Sequence, residues 1–159
     1  MQTSEEIDRM ISVLDDLQKG ECWIGYNAMQ VLHGLDAAAG QKKAYEAGNT
    51  IWQLVFHISY WRKHLVKRLK NGSEMPFDGP DFQQADNPEH HSWDELLKDF
   101  DETYVLLRDT ILGLDITQLN QTLSGEDVQY TYYKQVMGAM QHDAFHLGQI
   151  MVIRRMFGV

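Results

Sequence analysis

The sequence predicts an all-α protein, an antiparallel four-helix bundle with long connecting loops. Three observations lead there. Four long stretches repeat apolar residues at helical spacing. Side-chain capping signals and glycines bracket these stretches. All three prolines, Pro76, Pro80 and Pro88, fall between Gly72 and His91, so none interrupts a helix. Helices joined up and down, with one or two long crossovers, bury their apolar faces most simply as a bundle. The 159 residues are read as a single domain over 1–159.

The first helix is expected to begin at a capping box, Thr3 with Glu6, and to bury Ile7, Met10, Ile11, Leu14 and Leu17 before Gly20 ends it. Tyr26 to Leu35 reads as a short second helix and Ala37 to Gly48 as a connection. Asn49 or Thr50 caps the next long helix, which carries Ile51, Leu54, Val55, Ile58, Trp61, Leu65 and Leu69 on one side and stops at Asn71-Gly72. The following loop of about twenty residues is long enough for a functional or lid role. Ser92 with Glu95 forms another capping box, ahead of the apolar face Trp93, Leu96, Leu97, Phe100, Tyr104, Leu107 and Ile111. Leu114 to Val128 is less regular, with a turn at Ser124-Gly125-Glu126-Asp127 that suits a small hairpin. The last helix runs from about Thr131 to Met156.

Composition narrows the function. With 43% hydrophobic and 23% charged residues the chain is an ordinary globular one. Its 14 Lys+Arg against 23 Asp+Glu give a net charge of −9, a surface that repels phosphate backbones. Arg62-Lys63 to Lys67-Arg68 is one solvated helical stripe, so no nucleic-acid partner is expected. The lone Cys22 forbids an intrachain disulfide and a cysteine-based zinc cluster; its neighbours Trp23 and Ile24 suggest burial. The N-terminus lacks the apolar core of a signal peptide, and no apolar run approaches the ~20 residues that span a bilayer. A cytoplasmic protein without a membrane partner is the expectation.

Seven histidines carry the chemistry. His142 and His146 stand four apart in the last helix, on one face with Cβ atoms about 6 Å apart, close enough to share a metal ion. Gly138, Ala139 and Ile153 share that face, with Gln135 and Gln149 nearby, so both imidazoles point into the bundle. There they need either a metal or separate hydrogen-bond acceptors, such as a backbone carbonyl or a glutamine. His57, between Leu54 and Trp61 on its own helix face, is the preferred third ligand. His64 lies on nearly the same face about 10 Å further along, too far to share the ion, and its charged neighbours place it in solvent. His90 and His91 read as exposed, and His33 has no evident partner. Zincin chemistry is excluded, because Asp143 stands where His-Glu-x-x-His needs glutamate, on another side of the helix. Di-iron chemistry is excluded because no Glu-x-x-His occurs. A mononuclear three-histidine site for Zn, Ni, Fe or Cu remains.

At these residues the chain resembles the DinB-like superfamily of metal-binding four-helix bundles. The resemblance rests on Gly48 to Trp61, which contains His57, and on His142-Asp-Ala-Phe-His146-Leu-Gly-Gln-Ile150, and it extends to Cys22-Trp23-Ile24-Gly25 and His33-Gly34-Leu35. It implies metal ligation by His57, His142 and His146, a homodimer and an association with stress. The activities it implies are thiol S-transfer with bacillithiol or a similar low-molecular-weight thiol, mycothiol-dependent isomerisation, or metal-dependent hydrolysis.

The expected function is accordingly thiol transfer to a small electrophile at a three-histidine divalent metal site (Zn, Ni or Fe), with Tyr60, Trp61, Trp93 and the proline-rich loop as walls. Alternatives are a hydrolase, a non-catalytic metal-binding stress protein, and a metal-free bundle. A second apolar stripe on the last helix, Met137, Met140, Ala144, Leu147 and Met151, lies opposite the histidines and serves either the core or a dimer interface.

Overall fold

The computed structural model describes residues 2–73, 75–76, 81–82, 92–125 and 130–159. Four long helices, α1 (Gln2–Gln18), α4 (Ile51–Asn71), α5 (Trp93–Leu112) and α6 (Tyr132–Phe157), form the bundle, with short α2 (Ala28–Leu32) and α3 (Ala37–Gly40) between the first two. A 3₁₀ turn, Ile116–Gln118, follows α5.

Capping chemistry sets most helix starts. Thr50 accepts from Gln53 N–H while the Gln53 side chain accepts from Thr50 N–H, and Ser92 and Glu95 do the same for α5. Thr50 rather than Asn49 is therefore the cap. Asn27 caps α2, and its amide also reaches the Gly20 carbonyl, tying the end of α1 to the next element. Helix α1 begins at Gln2, so Thr3 lies inside the first turn and is not its cap. The stretch read as a plain connection contains the single turn α3, which Asp36 caps. Gly72 ends α4 at φ +66°, a left-handed conformation open to glycine. Where a small hairpin was expected, the described residues show one isolated antiparallel bridge, between Thr122 and Thr131; residues 126–129 lie outside the described residues.

Cross-helix pairs give the directions. Asp15 meets Tyr104 and Arg108, and Gln18 meets Asp101, so α1 and α5 are antiparallel. Arg62 meets Asp143 and Arg68 meets Gln135, so α4 and α6 are antiparallel. Trp52 packs on Trp93 and Arg62 on Phe100, so α4 and α5 run parallel. The chain between α4 and α5 must therefore join opposite ends of the bundle, which accords with its length of some twenty residues.

The core is continuous through the bundle, with Leu14, Val31, Ile51, Ile58, Phe100, Leu107, Ile111, Val136 and Ile150 among its most enclosed members. Trp93 belongs to this core: it donates to the Leu35 carbonyl and lies so close to Gly40 that a Cβ there would sit 2.9 Å from its ring. It is not a wall of the histidine site. The second stripe of α6 also serves the core, since Met140 and Leu147 are buried and Met137, Ala144 and Met151 pack against it. Cys22, expected to be buried, is only half-buried because Trp23 projects fully into solvent and Ile24 is exposed. No helix among the described residues is long and apolar enough to cross a membrane.

Candidate metal centre

Antiparallel packing of α4 on α6 brings His57 opposite the His142/His146 pair. One ring nitrogen from each of the three lies within 4.8 Å of the other two. His142 Nε2 is 2.9 Å from His57 Nε2 and 3.1 Å from His146 Nε2. His57 and His146 are buried, at 5% and 7% exposure, and His142 is half-buried.

The other ring nitrogens reveal the tautomers. His57 Nδ1 is 2.8 Å from an oxygen of the Asp81 carboxylate and 3.3 Å from the Asp81 carbonyl. His146 Nδ1 is 2.7 Å from Gln149 Oε1. Both acceptors require the proton on Nδ1, so the inward Nε2 atoms carry lone pairs. One proton on His142 Nε2 could satisfy one of these neighbours and not both. A cation about 2.0–2.1 Å from each nitrogen satisfies all three at once, and the donor set fits it. Burial pushes both His57 and His146 below the ordinary imidazole value, against the opposing pull of Asp81 on one and Gln149 on the other. The depressed values keep the nitrogens neutral, as ligation demands.

The family model of the DinB superfamily matches residues 25–150. The chain belongs to the DinB superfamily. No curated protein matches it.

In this DinB protein the trio singled out from the sequence is brought together, and its surroundings add residues the sequence did not flag. Phe82 stacks flat on His57 at 3.9 Å, and Trp61 donates its indole N–H to Asp81 at 2.9 Å while its ring stands 5.6 Å from His142. Asp81 and Phe82 show that the proline-rich connection does contribute to the site. Gln149, three residues beyond His146, had been close on the helical wheel, and it is the acceptor that the wheel suggested.

Two expectations fail. His64 is buried rather than solvated, with the Tyr60 ring stacked 6.5 Å away and the Trp61 ring edge-on at 5.7 Å. Arg62, read as part of a solvated stripe, is 1% exposed. Its Nε donates to Asp143 Oδ2 at 2.7 Å, its other nitrogens donate to the Phe100 carbonyl and Gln18 Oε1, and its plane covers the Phe100 ring at 4.4 Å. One side chain thereby joins all four long helices. His33 is exposed, and His90 and His91 lie outside the described residues.

Beside the centre, a cleft of about 320 Å³ runs between α4 and α6. His142 lines it together with Trp61, Leu65, Lys134 and Gly138. A Cβ at Gly138 would meet nothing within 4 Å, so packing does not demand glycine at this mid-helix position.

Proposed function

We propose that this protein is a cytoplasmic metal-dependent S-transferase, which joins a low-molecular-weight thiol such as bacillithiol to a small electrophile. Metal ligation is assigned to His57, His142 and His146. The observation that carries this reading is the convergence of three imidazole Nε2 atoms, two of them lone-pair donors by virtue of their outer hydrogen bonds, beside a ligand-sized cleft. Bound zinc, nickel or iron supplies Lewis acidity, which makes a thiol available as thiolate near neutral pH.

The chain's own residues do the rest. Asp81 and Gln149 fix two imidazole rings. Phe82 and Trp61 shield the nitrogens from water on the side of His57. Gly138 leaves clearance for a substrate's body along α6, where alanine would cost nothing sterically and would favour the helix by about 1 kcal/mol. In transfer to a chlorodinitrobenzene, the thiolate sulfur bonds the ring carbon and chloride leaves.

Metal-loaded protein should accelerate that reaction, followed by the absorbance of the thioether. His146→Ala should return the rate to the uncatalysed one with helicity retained. Gly138→Leu should lower kcat/KM by roughly 10-fold or more without loss of metal. Undiminished turnover in His146→Ala would overturn the metal mechanism.

A homodimer completes the proposal. On the outer side of α6, Phe145, Val152 and Met156 are exposed, and Ile24 and Tyr26 meet Phe145, Gly148 and Val152 across a shallow groove. Apolar surface gathered in this way is the signature of an association face. Light scattering should find a dimer that Val152→Lys converts to monomer; a dimer that survives the substitution would place the interface elsewhere.

A further inference from the structure

We propose that Asp143, held by Arg62, is the positioning residue for His142: it selects the tautomer of that imidazole and aims its Nε2 at the metal. The inference rests on the three-histidine metal reading and extends it to a residue of the protein core.

Its basis is a pair of atoms. Among the described residues, His142 Nδ1 and Asp143 Oδ1 are both buried and neither has a hydrogen-bond partner. They stand 3.5 Å apart. Unpartnered buried polar atoms are costly, and two of opposite kind side by side are relieved by a single contraction. The carboxylate can only accept, so that contraction needs the proton on His142 Nδ1. The lone pair then sits on Nε2, between His57 Nε2 and His146 Nε2. His57 has Asp81 as its outer acceptor and His146 has Gln149. With Asp143, every imidazole of the trio has one.

Arg62 makes Asp143 fit for this task. It occupies Oδ2 and leaves Oδ1 turned to His142. Because Phe100 and Gln18 hold the guanidinium from two other helices, the carboxylate cannot swing away. The pair is also neutral overall. His142 gains an acceptor without a net negative charge in the core, so the electrophilicity of a bound cation is not diminished by it.

The test separates positioning from support of the fold. Arg62→Met/Asp143→Leu removes cation and carboxylate together, and replacement of a buried ion pair by apolar groups of similar volume is commonly neutral or stabilising. The metal-free variant should melt well above Arg62→Ala, since no carboxylate is left stranded and only the Gln18 amide oxygen loses its partner, yet bind zinc about 10–100-fold more weakly in competition with a chromophoric chelator. Zinc affinity within about twofold of wild type would overturn the proposal.

A second measurement needs no variant. In ¹⁵N spectra of zinc-loaded wild type, His142 should show a slowly exchanging Nδ1–H and a zinc-shifted Nε2. Ligation through His142 Nδ1 would overturn the proposal. Wild type that takes up no zinc would overturn the metal reading itself.

Discussion

Arg62→Ala will destabilise the protein by about 3–5 kcal/mol, the loss expected when one member of a buried ion pair is removed and the other left without compensation. Neither side chain of the Arg62–Asp143 pair is more than 1% exposed. The variant would strand the Asp143 carboxylate and the Gln18 amide oxygen, and would uncover the Phe100 ring, whose carbonyl keeps the Thr103 hydroxyl. Domains of this size are stable by only about 5–15 kcal/mol, so the variant should be largely unfolded at moderate temperature. The neighbouring residue supplies the control. Lys63 pairs with Asp99 at 2.6 Å, but those side chains are 47% and 29% exposed, and such pairs contribute about 0–1 kcal/mol. Urea unfolding of Arg62→Ala beside Lys63→Ala should therefore separate adjacent cations by several kcal/mol. A loss below about 1 kcal/mol for Arg62→Ala would show that the four-helix tie is not energetically important.

Removal of the proposed metal ligands should have the second large effect. Protein purified without a nickel column is expected to carry about one divalent first-row metal per chain, and His57→Ala/His142→Ala to carry none, by elemental analysis. Chelation should lower Tm, since an ion at 100 times its Kd contributes about 2.7 kcal/mol. Acid should mimic chelation. Burial holds His57 and His146 below their unfolded value of 6.5, so the unfolded chain binds protons more readily than the folded one. Their neutral forms contribute stability that is fully present above pH 6.5 and is lost as pH falls below it through the depressed folded values. Metal affinity falls in the same direction, because protons compete for the ligating nitrogens. Wild type with no bound metal, no zinc uptake and chelator-insensitive melting would overturn this prediction and leave a metal-free bundle.

The helices and the trio were legible because their signals are local. Thr50 with Gln53 and Ser92 with Glu95 announce helix starts within four residues, and His142 with His146 announces a shared face within five. The placement of His57 followed from antiparallel packing once its apolar neighbours were noticed. Arg62 and Asp143 were missed because each acquires its meaning 81 residues away. The charges around Arg62 imitated a solvated stripe. Yet Ile58, Leu65 and Val66 lie one turn to either side of it, and Met140 and Leu147 flank Asp143, so each charge sits within a buried row. A lone cation and a lone anion on two apolar faces were the available signal. His64 was misread for the same reason: its charged sequence neighbours suggested solvent, while the Tyr60 and Trp61 rings lie against it. Asp81 and Phe82 left no periodic trace, since they sit in an irregular crossover.

The distribution of the trio between helices has a consequence for biogenesis. Only His57 belongs to α4, while His142 and His146 both belong to α6, which is synthesised later than the other three long helices. A nascent chain whose first three long helices have left the ribosome displays a single imidazole of the three and cannot hold an ion tightly. On the proposed metal reading, tight ion binding would thus wait for the synthesis of α6. A product stalled before α6 would lack two of the three proposed ligands and would leave scarce metal to the completed site.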